Sequence, residues 1–437
     1  MQGTQRPQSS QLPVVVIGAG PVGLAAASRL ARRDEPVVVL EAGPAAGANV
    51  SAWGHVRLFT PWRDVVDEVG RELLRRTDWV DPDPSTYPTG RALVETYLKP
   101  LAATPALHDK VLYGAKVVAV SRRAHDKLRD VRRVDDPFEL HVQTATGLRR
   151  LWARAVVDAS GTTHRPNPLG SNGLPARGEA ELGDVISYGV PDVLGTADTF
   201  GGHHVVVAGS GHSAQNVVLD LVELRRRLPA TKITWAIRSD SIARVVGGGA
   251  SDPIPQRAQL GNEVKEILTA GDVELVTGVE VVALERRPHG VSLLTSRGDR
   301  LDADRIVAAT GFRPETSVLD ELRLGLDPVL ECPVKLAPLL DPRFHWCGSV
   351  PEHGVAELAH PEPDFFMVGM KSYGRAPTFL LKTGYAQLDA VVAHLCGDAT
   401  DVTTQRAARV DPPSVALDPC ATSGAPQCGG TADRPSC

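Results

Sequence analysis

The residues best suited to chemistry lie in and around two short glycine turns. The first reads "GAGPVG", with Gly18, Gly20 and Gly23 after the apolar run "PVVVI". The second reads "GSGHSA", with Gly209, Gly211 and Ala214 after "HVVVA". In such a turn the first glycine lets the chain bend sharply out of a strand and the second lets backbone approach a pyrophosphate. The third residue, glycine or alanine, sits where a helix packs closely on a strand. The helix beginning there offers unpaired N–H groups and a partial positive charge to phosphate oxygens. Glu41 ends the strand that follows the first turn, where a carboxylate can accept hydrogen bonds from ribose hydroxyls. Arg238, in "WAIRSD", stands near the corresponding place after the second turn. A carboxylate there would repel a 2'-phosphate, whereas a guanidinium binds one bidentately. The first turn is expected to hold an adenine dinucleotide and the second NADPH in preference to NADH. Ser213 is expected to cap its helix or touch phosphate rather than react.

Each turn needs a strand before it, a helix after it and a second parallel strand. "PVVVIG", "VGLAAASRLARR" and "PVVVLEAG" supply the first set, and "HVVVAG", "SAQNVVLDLVELRRRL" and "KITWAIR" the second. Continuous apolar runs of this kind are buried on both faces of a parallel sheet. Between the two units, "KVVAVSR", "FELHVQTA" and "ARAVVDASG" predict a small antiparallel addition that returns to a parallel strand. The proline-rich "HRPNPLGSNGLP" at 164–175 reads as a linker. The second unit ends near "DADRIVAATGFRP", and the remainder up to residue 400 closes with a strand, a turn and a helix that complete the first domain. The expected fold is α/β, with two Rossmann-like dinucleotide-binding domains. The second (176–308) is inserted in a discontinuous first domain (13–175 and 309–400), between a flexible leader (1–12) and a tail (401–437) rich in Pro, Gly, Ser and Thr.

Composition narrows the function classes. The 437 residues, 42% hydrophobic and 23% charged, suffice for two or three packed domains, and the net charge of -5 gives no basic surface for nucleic acid. No run reaches the roughly 20 apolar residues that span a bilayer. Six cysteines, at 332, 347, 396, 420, 428 and 437, are few for this length; a reducing compartment, the cytoplasm, is expected. Homo-oligomerisation is left open.

Two nucleotide motifs, "ATGFRP" closing the second unit and a C-terminal strand-turn-helix together resemble the two-dinucleotide flavoproteins. That superfamily includes flavin-containing monooxygenases and pyridine nucleotide-disulfide reductases. The resemblance implies FAD on the first turn and a nicotinamide cofactor on the second. It also implies that "DASG" at 158–161, with Gly161, borders the flavin's adenine half, and that Gly369 in "FFMVGMKSYGRAPTFLLKTG" lies near the pyrophosphate and ribityl chain. The stretch "GANVSAWGHVRLFTPWR" at 47–63 matches a flavin border. There Gly47 is kept, Ala48 and Val50 replace a glycine and a tryptophan, and Trp53 follows three residues later. Trp53, Arg57 and Lys371 are the candidate active-site residues on this basis, each with a packing or ion-pairing role as the alternative.

The cysteines discriminate within the superfamily. Disulfide reductases present two nearby thiols to the flavin, and this chain has no cysteine before 332 and no close pair. The F-x-G-x-x-x-H fingerprint of many flavin monooxygenases is also absent from "DVISYGVPDVLGTADTFGG". The stretches "AWGHVRLF", "YGVPDVLG", "GSGHSA" and "VGMKSYGRAPTFLL" are similar to actinobacterial flavoproteins found beside arsenic-resistance genes. The resulting expectation is an FAD-dependent, NADPH-consuming monooxygenase. It would take up molecular oxygen and oxygenate a small soft nucleophile, an N, S or As centre, through a flavin hydroperoxide. An NAD(P)H-dependent reductase or oxidase with another acceptor is the alternative. Cys420, Cys428 and Cys437 offer a different one: three thiols within 18 residues that could capture arsenite, copper or zinc or relay electrons, or do nothing. His345, His353 and His360 fit no metal-ligand spacing and are expected in loop or hydrogen-bonding roles.

Overall fold

The computed structural model describes residues 12–129, 132–242, 245, 252, 254–341 and 350–398. The described part falls within one compact unit, Met1–Ala399. Cys347, His345 and the three tail thiols lie outside the described residues.

The chain opens with β1 (Val14–Ile17), α1 (Pro21–Arg32) and β2 (Val37–Leu40), a β-α-β unit with β1 and β2 parallel. All four β1 residues are buried, as strands flanked by helices on both faces require. After β3 (Val111–Leu112) come β4 (Lys116–Arg122), β5 (Phe138–Thr144) and β6 (Gly147–Ala153), an antiparallel sheet. Its return strand β7 (Ala155–Asp158) pairs with β1 in parallel.

The second unit contains β8 (Ile186–Tyr188), β9 (His204–Ala208), α2 (His212–Arg227), β10 (Lys232–Ala236) and β11 (Glu274–Val276). A second antiparallel sheet, β12 (Val281–Arg286), β13 (Val291–Thr295) and β14 (Arg300–Ala303), precedes β15 (Arg305–Ala308). The chain then returns to the first sheet through β16 (Phe365–Met367) and ends in α3 (Leu381–Leu395). Sheet order is β16-β7-β1-β2-β3 in the first domain and β11-β10-β9-β15-β8 in the second. Both cores thus have the glycine-bearing strand at the centre, between its β-α-β partner and a later return strand. A domain that leaves the first sheet after β7 and re-enters it at β16 is an insertion.

The 164–175 stretch is more than a connection. Leu169 and Ala176 are buried in the core of the second domain, and their amides donate to the Glu179 carboxylate at 2.8 and 2.7 Å. A buried acid thus tethers this proline-rich, non-regular segment. Among the described residues no helix is long and apolar enough to cross a membrane.

Candidate nucleotide and redox site

The first turn is built on close backbone approaches. Gly18 has φ +99°, and a Cβ on it would stand 2.9 Å from the Ala159 carbonyl oxygen. The return strand therefore runs directly beneath the turn, and only glycine fits. Gly20 is the N-cap of α1, and a Cβ there would meet nothing within 4 Å. Gly161, with φ +73°, also faces open space. Glu41 is 8% exposed; its two oxygens accept from the Ala19 and Gly43 amides, each at 2.7 Å. Those bonds aim the carboxylate at the glycine turn and leave lone pairs on each oxygen for further donors.

The second turn repeats the plan. Gly209 has φ +133°, and a Cβ on it would stand 2.3 Å from the Ala309 carbonyl. The residue after β15 thus takes the place that Ala159 takes after β7. Gly211 caps α2 with open space above it, Ser213 is half-buried in the helix's first turn, and Ala214 is fully buried. The register sharpens the position of Arg238. Ile17 pairs with Leu40 and Ala208 with Ala236, so Ile237 is the counterpart of Glu41 and Arg238 lies one residue further on. Ile237 is fully buried; Arg238 is exposed, with Nη1 donating to the Ser171 carbonyl at 2.9 Å. The second turn therefore lacks the first turn's carboxylate and has a cation at its rim.

The C-terminal segment seats on the start of α1. Gly369 (φ +64°) and Gly384 both abut Val22, where an added Cβ would come within 3.0 and 2.9 Å of its side chain. Beside it, Lys371 is 1% exposed and its Nζ donates to Asp158 Oδ2 at 2.6 Å and to Ser160 Oγ at 3.1 Å. The other Asp158 oxygen accepts from the Ser160 amide and hydroxyl. This ion pair joins the end of β7 to the turn after β16 across 213 residues, a separation that no local pattern reveals. Lys371→Met is expected to lower stability by about 3–5 kcal/mol, because it leaves the Asp158 carboxylate buried without its cation, read by urea denaturation. Combining it with Asp158→Asn should recover more than half of that loss; no recovery would show that the two side chains act independently.

A second buried network fixes the same segment from the other side. Gln387 Oε1 accepts from the Gly369 amide at 2.8 Å, and its Nε2 donates to Ser372 Oγ at 2.9 Å. That nitrogen also lies 2.8 Å from His353 Nε2, while His353 Nδ1 is 3.0 Å from the Pro351 carbonyl. A carbonyl can only accept, so Nδ1 carries the proton and Nε2 accepts from Gln387. Burial lowers the His353 pKa, which suits this neutral form. His360 is likewise buried, its pKa pushed down to about 4. Both have hydrogen-bonding roles.

Trp53 and Arg57 have partners of their own. The Trp53 ring lies against Gly90, where a Cβ would be 2.8 Å from Cε3, and it borders the main core. Arg57 is exposed, with Nη1 donating to the Tyr87 carbonyl at 2.9 Å. From the same stretch Phe59 reaches the other nucleotide turn, its ring edge-to-face with His212 at 5.1 Å. His212 is the first residue of α2, so the loop bordering one turn touches the other. His55 Nε2, Thr163 Oγ1 and Thr378 Oγ1 are buried without a hydrogen-bond partner among the described residues. They belong to, or lie within two residues of, the three segments that the sequence assigns to a flavin border. Of the thiols, Cys332 and Cys396 are free. Burial pushes the Cys332 pKa up to about 12.

Comparison with known proteins agrees with the α/β fold. The chain is 26% identical over 318 residues to the ferredoxin–NADP reductase of Frankia casuarinae, covering 72% of this chain and 78% of that protein. Its fold is similar to that of bacillithiol disulfide reductase from Bacillus cereus (TM-score 0.64, 17% identity, 89% of this chain and 99% of the other). It is also similar to a flavin monooxygenase from Stenotrophomonas maltophilia (TM-score 0.55, 23% identity, 89% and 99%). The description "Pyridine nucleotide-disulphide oxidoreductase" matches residues 12–330, well over half of the sequence, and the chain belongs to that family.

Proposed function

We propose that this chain is an FAD-dependent, NADPH-consuming monooxygenase acting on a small soft nucleophile, an N, S or trivalent As centre. The residues suit the two cofactors. Open space above Gly20 and Gly161, the turn-facing Glu41 and the orphaned polar atoms of His55, Thr163 and Thr378 suit FAD. The open space above Gly211 and the cation at Arg238 suit NADPH.

Bound flavin would supply two-electron chemistry and oxygen activation. The protein's own part is placement. The N-termini of α1 and α2 present amides to the two pyrophosphates, and the Phe59–His212 contact holds the flavin-border loop against the nicotinamide turn. Lys371 is a positioning residue, since its charge is spent on Asp158, and the Gln387–His353 pair fixes the Gly369 amide. The reaction balances as NADPH, a proton, oxygen and substrate giving NADP+, water and the oxygenated substrate.

The observation that carries the reading is the lack of any cysteine in the first 331 residues. Neither glycine-turn unit can offer a protein dithiol to the flavin, so the electrons go to oxygen or to an outside acceptor. The similarity to a ferredoxin–NADP reductase favours the second reading, a reductase passing electrons to a separate carrier. Oxygen uptake measured with NADPH and a panel of thioethers, amines and arsenite separates the two. Monooxygenation gives one oxygenated product per NADPH and little peroxide. Peroxide equal to NADPH with every substrate, together with fast electron transfer to ferredoxin, would replace it with the reductase.

Arg238→Ala tests the nicotinamide assignment. The KM for NADPH is expected to rise about tenfold, the scale of a charged hydrogen bond, with the KM for NADH unchanged. Equal shifts for both nucleotides would show that the 2'-phosphate is read elsewhere.

A further inference from the structure

The two turns differ at their third residue, and the structure contains a compensating contact. In the first turn a Cβ on Gly23 would stand 1.9 Å from the Gly18 carbonyl oxygen. That carbonyl points at the first turn of α1, and only glycine fits opposite it. In the second turn the equivalent residue is Ala214, fully buried, so the carbonyl of Gly209 cannot occupy the same place. It accepts instead from Trp235 Nε1 at 2.7 Å. The change shows in the backbone, with φ +133° at Gly209 against +99° at Gly18. Trp235 is fully buried and pairs with Val207 as Val39 pairs with Val16. The first unit thus has a valine, with no donor, where the second has an indole.

We propose that Trp235 is a positioning residue for the nicotinamide nucleotide. Its indole N–H holds the Gly209 carbonyl clear of Ala214 and so aims the Ser210 amide at the pyrophosphate. The proposal rests on the assignment of NADPH to the second turn. Its physical basis is the planar trans peptide, whose C=O and N–H point in opposite directions. A Gly209 oxygen pinned on the indole turns the Ser210 N–H away from the indole. A carbonyl without that donor is a buried acceptor left unpaired. It gains by turning towards solvent, where it would set an oxygen dipole against the phosphates and withdraw an amide from them.

Trp235 and Ala214 therefore form a coupled pair, which makes the proposal testable in full-length, flavin-loaded protein by calorimetric titration with NADP+. Trp235→Phe keeps a large apolar ring and removes the donor. Its dissociation constant for NADP+ is expected to rise about tenfold, with flavin content and kcat at saturating NADPH unchanged. Ala214→Gly alone sets the reference affinity for the double variant. Added to Trp235→Phe, it should restore most of the affinity, because the freed space lets the Gly209 carbonyl adopt the first turn's geometry. If Trp235→Phe does not fold, benzothienylalanine at position 235, with sulfur in place of the indole N–H, removes the donor at constant shape and carries the same expectation. Wild-type affinity in either variant, or failure of Ala214→Gly to rescue, would overturn the clamp. Wild-type protein that binds no NADP+ would overturn the nucleotide assignment beneath it, a result visible before any variant is made.

Discussion

Gly20→Val is expected to fold normally and to purify without flavin. The backbone at this position is φ -80°, ψ -175°, an extended conformation open to any residue, and no atom of the described residues beyond its chain neighbours lies within 4 Å of an added Cβ. The backbone and the room for a Cβ are thus both available at this position. The valine methyls instead fill the space in which a pyrophosphate would contact the N-terminus of α1, and they block the approach of oxygen atoms to the unpaired amides. Flavin affinity should fall by at least about two orders of magnitude, equivalent to roughly 3 kcal/mol, with the melting temperature of the flavin-stripped parent retained. Flavin absorbance per protein and a thermal melt read both quantities. Gly23→Ala provides the contrast: its Cβ would sit 1.9 Å from the Gly18 oxygen, so it should lose both flavin and about 1–3 kcal/mol of stability through overpacking. A fully flavin-loaded Gly20→Val protein would move the pyrophosphate away from this turn.

The contrast reflects what could be read from the residues and what could not. Glycine spacing after an apolar strand is a local pattern, so both turns, their strands and the return of the chain to its first sheet were legible. The antiparallel β12–β14 was not, because "VVALER", "VSLLT" and "RLDA" are short, with their burial supplied by tertiary partners. That Arg238 lies one residue beyond the counterpart of Glu41 comes from the register, which depends on pairing and not on counting. Trp235 gave no signal as part of the turn, since an aromatic in a buried strand reads as ordinary core. The three candidate active-site residues came from a segment-level likeness, and the structure gives each a partner that only long-range packing could reveal. The inserted domain is legible in the strand order, whereas the buried charges that tie segments together are not. Arg122 and Glu362 meet across 240 residues.

Glu362→Gln is expected to cost about 3–5 kcal/mol, the range for removing one partner from a buried ion pair. Glu362 has a fully buried side chain, and those of Arg122 and Arg133 are 2% and 1% exposed. One carboxylate thus neutralises two guanidinium groups out of reach of water. It accepts from Arg122 Nε at 2.8 Å, from Arg133 Nη1 at 2.6 and 2.7 Å, and from the Arg323 amide at 3.1 Å. The cluster fastens β4 and the approach to β5 onto the segment just before β16, and the Arg122 guanidinium lies over the Phe138 ring at 3.6 Å. Glutamine keeps the shape but leaves two buried cations with a neutral, partly mismatched acceptor. Burial alone would raise the Glu362 pKa, but the bonds from Arg122, the Arg323 amide and Arg133 outweigh it and hold the carboxyl below its ordinary range. A folded-state pKa below the unfolded value of about 4.3 gives stabilisation that is complete above that value and is lost as pH falls through the folded pKa. Wild-type protein should therefore lose stability on the acid side more steeply than Glu362→Gln, whose chemical denaturation midpoint starts lower and falls less below about pH 4. Replacing all three side chains by Leu, Met and Met should recover much of the loss at neutral pH, because it removes the charges together with their desolvation cost. Parallel acid limbs in wild type and Glu362→Gln would show that the two arginines are held by something other than this carboxylate.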